Sequence, residues 1–150
     1  MSRIGFDEIA TNGTVTTGSR TVTNADIEQF AALSGDRNPL HTDDKWVREN
    51  TPYPGRIAHG LLGVAITSGL PSEYDDWNVL AFLQCTRKFL APILPGDTMH
   101  AEYVVSSKRV SSSNPEVGVV TLAVNVVNQS SEIVQTGEDV VLVARERTGQ

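Results

Sequence analysis

Cysteine is nearly absent from this sequence: Cys85 is the only one in 150 residues. One thiol excludes an intramolecular disulfide framework and any zinc site built from cysteines. Cations are also few. Twelve Lys and Arg stand against eighteen Asp and Glu, a formal charge of −6, and they form no basic run. Non-specific DNA or RNA binding needs clustered cations that release phosphate counterions, and anionic membranes are held in the same way. Neither a nucleic-acid partner nor a membrane partner is therefore expected. No apolar stretch approaches the roughly 20 residues needed to cross a bilayer. The opening MSRIGFDEIATNG lacks the apolar core of a secretory signal, so a cytoplasmic protein is expected. Repeats, low-complexity tracts and long Pro/Gly/Ser linkers are missing too. At this length the expectation is a single domain over residues 1–150, burying roughly two-thirds of the unfolded chain's surface.

What is present falls into two textures. Residues 1–75 mix helix signals with loops. Thr23 three residues ahead of Asp26 resembles a capping box, with Asp26 at the positive end of the helix dipole. Ile27, Phe30 and Ala31 follow at helical spacing, Leu33 extends the apolar side, and Gly35 suits a left-handed stop, giving a helix of about three turns. Residues 56–70 (RIAHGLLGVAITSGL) are apolar nearly all round and end at Pro71, as a buried helix does. Residues 79–147 are dominated by β-branched runs. The strands expected are 79–89, 98–110, 117–127 and 133–145, with a further short one at 14–17. The 117–127 run is apolar on both faces, as a central strand is. Ser111–Pro115 and Asn128–Ser131 read as turns between strands. The fold class expected is α+β: an antiparallel β-sheet wrapped around a long central α-helix.

Ser34-Gly35-Asp36-Arg37-Asn38-Pro39-Leu40-His41 carries the chemistry. It follows a helix, holds an acid and an imidazole five residues apart, and contains a proline that stiffens the loop between them. A carboxylate and a histidine that converge on one small volume can handle protons near neutral pH. The same residues are also good turn formers, with Asp36 or Asn38 satisfying backbone N–H groups. The three histidines show no His-x-x-x-His spacing, and no metal site is expected. Cys85 reads as a buried small hydrophobe.

FAALSGDRNPLHTDD resembles the hydratase-2 motif of the MaoC-like dehydratases and (R)-specific enoyl-CoA hydratases, which have the hotdog fold. Phe30, Gly35, Asp36, Asn38, Pro39, Leu40 and His41 stand in the motif's places. Arg56-Ile57-Ala58-His59-Gly60 resembles the start of that family's central helix, and residues 89–98 (FLAPILPGDT) its turn into a sheet strand. The resemblance covers most of residues 20–147, in order. One departure is Val47, where the family usually has Ala or Ser; a branched side chain there is expected to narrow the acyl tunnel.

The resemblance implies reversible hydration of a trans-2-enoyl thioester to an (R)-3-hydroxyacyl thioester, that is, a hydro-lyase with Asp36 and His41 as the catalytic pair. The Gly60 N–H is then the oxyanion donor, although a glycine there also permits close packing. Ser68 is implied as a hydroxyl supporting Asp36, with Thr67 as a neighbour in contention, and Asn38 as the residue shaping the loop beside the substrate. No cofactor is implied beyond the coenzyme A or phosphopantetheine of the substrate, whose phosphates could meet Arg37, Arg56, Arg87, Lys88 or Arg109. Hotdog proteins of this size resemble homodimers. Two alternatives stay open: a hotdog acyl-thioesterase, disfavoured because residues 61–70 contain no acid, and a non-catalytic acyl-thioester-binding partner subunit.

Overall fold

The computed structural model describes residues 3–146. In chain order the elements are β1 (Thr14–Thr16), β2 (Arg20–Thr21), α1 (Asn24–Ser34), α2 (Pro39–Thr42), α3 (Asp44–Asn50), α4 (Gly60–Ser68), β3 (Val79–Phe89), β4 (Thr98–Val110), β5 (Val117–Val127) and β6 (Ile133–Ala144). Single 3₁₀ turns lie at Phe6–Glu8 and Glu73–Asp76. The sheet runs β1-β4-β5-β6-β3, with β2 also paired to β4, and every pairing is antiparallel.

The four long strands fall where β-branched alternation places them. β5 lies at the centre, and its Val120, Leu122, Val124 and Val126 are buried. α4 packs over one end of the sheet's inner face, where Leu62 and Ile66 meet Met99, Val126 and Val134. The N-terminal segment covers the other end, with Phe6, Ile9 and Trp77 packed on Val120, Leu122, Val141 and Val143. The sheet therefore wraps a helix, as expected.

That helix is not long. It has nine residues, with a rise of about 13 Å. Residues 56–59 stay extended because backbone bonds to distant residues hold them: Ile57 N–H donates to Leu40 O and Ala58 N–H to Ile93 O, at 2.9 and 2.8 Å. α1 has the predicted capping box, Thr23 Oγ1 accepting from Asp26 N–H and Asp26 from Thr23 N–H. It ends at Gly35, whose φ of 78° suits a residue without a Cβ. Leu33 does not join the core; it is 85% exposed, whereas Ile27 and Ala31 are buried.

The strand β3 forms one edge of the sheet, and its residues Leu80, Phe82, Leu83 and Phe89 are all more than half exposed. Cys85 lies on this edge and is exposed, not the buried small hydrophobe expected. Among the described residues no helix is long and apolar enough to cross a membrane.

Candidate active site

The loop after α1 is built by its own side chains. Asp36 N–H donates to Ser34 Oγ at 3.1 Å, and Asn38 N–H to Asp36 Oδ1 at 3.2 Å. Asn38 Oδ1 then caps α2 by accepting from Leu40 N–H at 3.0 Å, with Pro39 at the first helical position. This one short turn of helix carries His41 back toward Asp36. His41 Nε2 and Asp36 Oδ2 are 3.9 Å apart, the imidazole mostly shielded and the carboxylate 54% exposed. Asn38 shapes the loop.

The His41 tautomer follows from its partner. Nδ1 lies 2.8 Å from the Ile57 carbonyl, which can only accept, so Nδ1 carries the proton. In the neutral ring Nε2 is then the acceptor, beside the carboxylate. Behind it, His59 is buried, stacks on His41 with centroids 3.8 Å apart and planes inclined by 25°, and meets the edge of Phe30. Asp36, His41 and His59 each bring one potential ligand atom within 4.8 Å of the others. The stacking nevertheless disfavours a shared ion. A metal lies in each imidazole plane at about 2.1 Å from nitrogen, and two nearly parallel stacked planes do not converge at that range.

A cleft of about 340 Å³ opens beside His41, without Asp36 in its lining. His41, Tyr53, Gly60 and Gln135 supply its polar lining, and Ile57, Leu61, Phe89 and Ile93 are among its apolar walls. Gly60 begins α4, so its N–H has no place in the helix's own ladder, and no backbone acceptor takes it among the described residues. A Cβ at Gly60 would come within 2.6 Å of the Phe89 ring. This glycine therefore packs closely on the edge strand, and it lines the cleft.

The structure does not bring Ser68 to this cluster. It ends α4 about 12 Å of helix rise from Gly60, is exposed, and donates back to the Ala65 carbonyl at 2.8 Å. Thr67 is buried and bonds Gly63 O. Val47 is fully buried and is not part of the cleft lining, so its branch does not narrow the cleft as expected. Of the cations, Arg56 is held by Asp44 and Glu28, and Arg87 is buried against Asp139. Arg37, Lys88 and Arg109 are exposed, with no ion pair among the described residues. Gln135 was not foreseen. It is 1% exposed and donates from Nε2 to Gly60 O at 2.9 Å, bracing the start of α4 from β6. A lone Gln inside a strand gives no local sign of this.

Residues 7–128 match the model of the MaoC like domain. The chain belongs to the MaoC-like domain family. A relative from Aeromonas caviae named (R)-specific enoyl-CoA hydratase is 32% identical over 117 residues, covering 78% of this chain and 83% of its own. A crystal structure from Archaeoglobus fulgius, described as a monoamine oxidase regulatory protein, superposes with a TM-score of 0.87 at 32% identity over 96% of each chain. A double hotdog protein of Mycobacterium tuberculosis, 19% identical, superposes with a TM-score of 0.80 over 96% of this chain and 45% of that one. The MaoC-like sheet and helix are thus a hotdog fold.

Proposed function

We propose that this MaoC-like chain is an (R)-specific enoyl-thioester hydratase, equally able to run as a 3-hydroxyacyl-thioester dehydratase, with Asp36 and His41 as its catalytic pair. The observation that carries the reading is the 3.9 Å between the carboxylate oxygen and His41 Nε2, beside a cleft that His41 and Gly60 both line. Two acceptors at this spacing can each take a hydrogen from one water whose oxygen sits at roughly 2.8 Å from both. The water oxygen then faces outward to attack Cβ of the enoyl group. The pair takes one of its protons and delivers a proton to Cα, so H and OH add across the double bond. Charge that develops on the thioester oxygen is met by the Gly60 N–H, a donor typically worth about 10²–10³ in rate. Asp36 and His41 act as a coupled unit, and the protons belong to the pair.

The substrate class is an acyl thioester of coenzyme A or acyl carrier protein, and the chemistry needs no further cofactor. The (R) outcome rests on family membership. A homodimer fits the unpaired, apolar β3 edge, since such an edge is a template for a second strand. Phe89 belongs to both this edge and the cleft wall, so pairing there would also shape the site.

The test is hydration of crotonyl-CoA, followed by loss of the enoyl absorbance, with Asp36→Asn and His41→Ala alongside. Turnover by the wild type and loss in both variants is expected. Unchanged rates in both variants would remove the mechanism. Release of free CoA thiol would favour the thioesterase, and binding without turnover would favour the non-catalytic subunit.

A further inference from the structure

We propose that His59 is a positioning residue for the Asp36–His41 pair; this deepens the reading above and rests on it. His59 occupies the N-cap position of α4, directly before Gly60, yet its side chain makes no cap bond to the helix. Cap positions favour Ser, Thr, Asp and Asn because their oxygens satisfy the first helix N–H groups. Here the ring turns away from the helix and toward the loop of the proposed catalytic pair.

Its polar bond is to that loop. Nε2 lies 2.9 Å from the Asp36 carbonyl oxygen, which only accepts, so Nε2 carries the proton and donates. The other bonds of Asp36 are local, to Ser34 and Asn38 two residues away on either side. Among the described residues, the His59 bond is the one hydrogen bond that ties Asp36 to the scaffold outside its own loop. The same ring lies face to face with His41, whose Nδ1 is held by Ile57 O. The loop residue, the imidazole and the helix start that carries Gly60 are thereby registered to one another by one buried side chain.

The nitrogen left over points to the same role. His59 Nδ1 is buried and has no hydrogen-bond partner. A phenyl ring would fill much the same space and leave no orphaned polar atom, so packing alone does not account for an imidazole here. Donation from Nε2 is what only the imidazole supplies. The titratable groups that face this ring are Asp36 and His41.

Two variants separate the contacts. His59→Phe keeps a ring against His41 and removes the donor. His59→Gln removes the ring and offers an amide N–H within reach of the Asp36 carbonyl. Misplacement of a reacting group by about 1 Å can cost on the order of a hundredfold in rate. His59→Phe is therefore expected to lower kcat for crotonyl-CoA hydration at least about tenfold, with KM little changed and thermal stability retained. His59→Gln is expected to recover most of that loss. A His59→Phe enzyme with wild-type kcat, or a His59→Gln enzyme impaired as deeply as His59→Phe, overturns the proposal. If the wild type turns over no enoyl thioester, the hydratase reading fails by itself. The positioning role is then read from the backbone amide resonances of residues 35–38. These should broaden in His59→Phe and sharpen again in His59→Gln; an unchanged loop spectrum in His59→Phe overturns it.

Discussion

Arg87→Leu is the perturbation whose cost the structure sets most directly. Arg87 on β3 and Asp139 on β6 are 52 residues apart and joined by two N–H···O bonds, at 2.6 and 3.0 Å. Each side chain is only 5% exposed. The paired geometry compensates for taking both charges out of water, so removing one partner leaves the other charge buried and alone. The Asp139 carboxylate would then lie near Tyr74 and Tyr103. Burial first, and Asp139's charge second, already push both phenols up, Tyr103 to about 12. Stranding a buried charge costs about 3–5 kcal/mol. For a chain of this size that is a fall of roughly 6–20 °C in Tm, at about 2–4 °C per kcal/mol. Asp139→Asn should cost a comparable amount, by stranding the guanidinium. Arg87→Leu with Asp139→Leu should regain most of the loss, because an apolar pair strands nothing. The assay is urea unfolding at one fixed protein concentration, with crotonyl-CoA KM measured on the folded protein. KM should hold, since a buried and paired Arg87 is no phosphate ligand. Single variants within about 1 kcal/mol of wild type, or a double variant that loses the sum of the singles, would refute the reasoning.

Asp44 accepts from the Arg56 backbone N–H and then from its guanidinium, which hold its carboxyl below the ordinary range. A depressed native pKa gives stability that is present above about pH 4 and lost as pH falls through the native value. The wild-type urea midpoint should therefore fall more steeply below about pH 4 than that of Asp44→Asn. Gly137→Ala sets a methyl group on the Thr86 carbonyl, which as paired backbone cannot turn aside. A loss of about 3 kcal/mol or more is expected by chemical denaturation. Thr23→Ala breaks the cap of α1 and should cost about 1 kcal/mol in the same assay. Gly60→Ala keeps the N–H but crowds Phe89, whose half-exposed ring can swing. Stability should change by less than about 1 kcal/mol while kcat/KM falls, measured with crotonyl-CoA.

The long strands and α1 were legible because their signals are local: β-branched alternation, a capping box, a glycine stop. The loop with Asp36 and His41 was legible as well, down to the proline that stiffens it. What the sequence concealed depends on distant partners. Residues 56–59 read as helix by composition, but Leu40 and Ile93 hold them extended. Cys85 read as buried because a free cysteine in a strand is usually a small hydrophobe, but strand order puts β3 at an edge. Arg87 looked like one loose cation among several until its partner, 52 residues on, was in place. Ser68 was placed by its spacing along the helix, and the helix axis carries it away from Asp36. Nothing beside His59 in the sequence signals its role, because neither of its main contacts is adjacent in the chain.

The His41 side chain meets the cleft with one nitrogen only. Its other nitrogen is committed to a carbonyl that has no hydrogen to exchange. Such a ring cannot work as a two-sided relay toward bulk solvent. Whatever hydrogen it receives at Nε2 must leave by the way it came. In the proposed reaction, isotope lifted from Cα of a labelled hydroxyacyl thioester would leave with the departing hydroxyl or return to carbon, so label would reach the solvent no faster than water is eliminated.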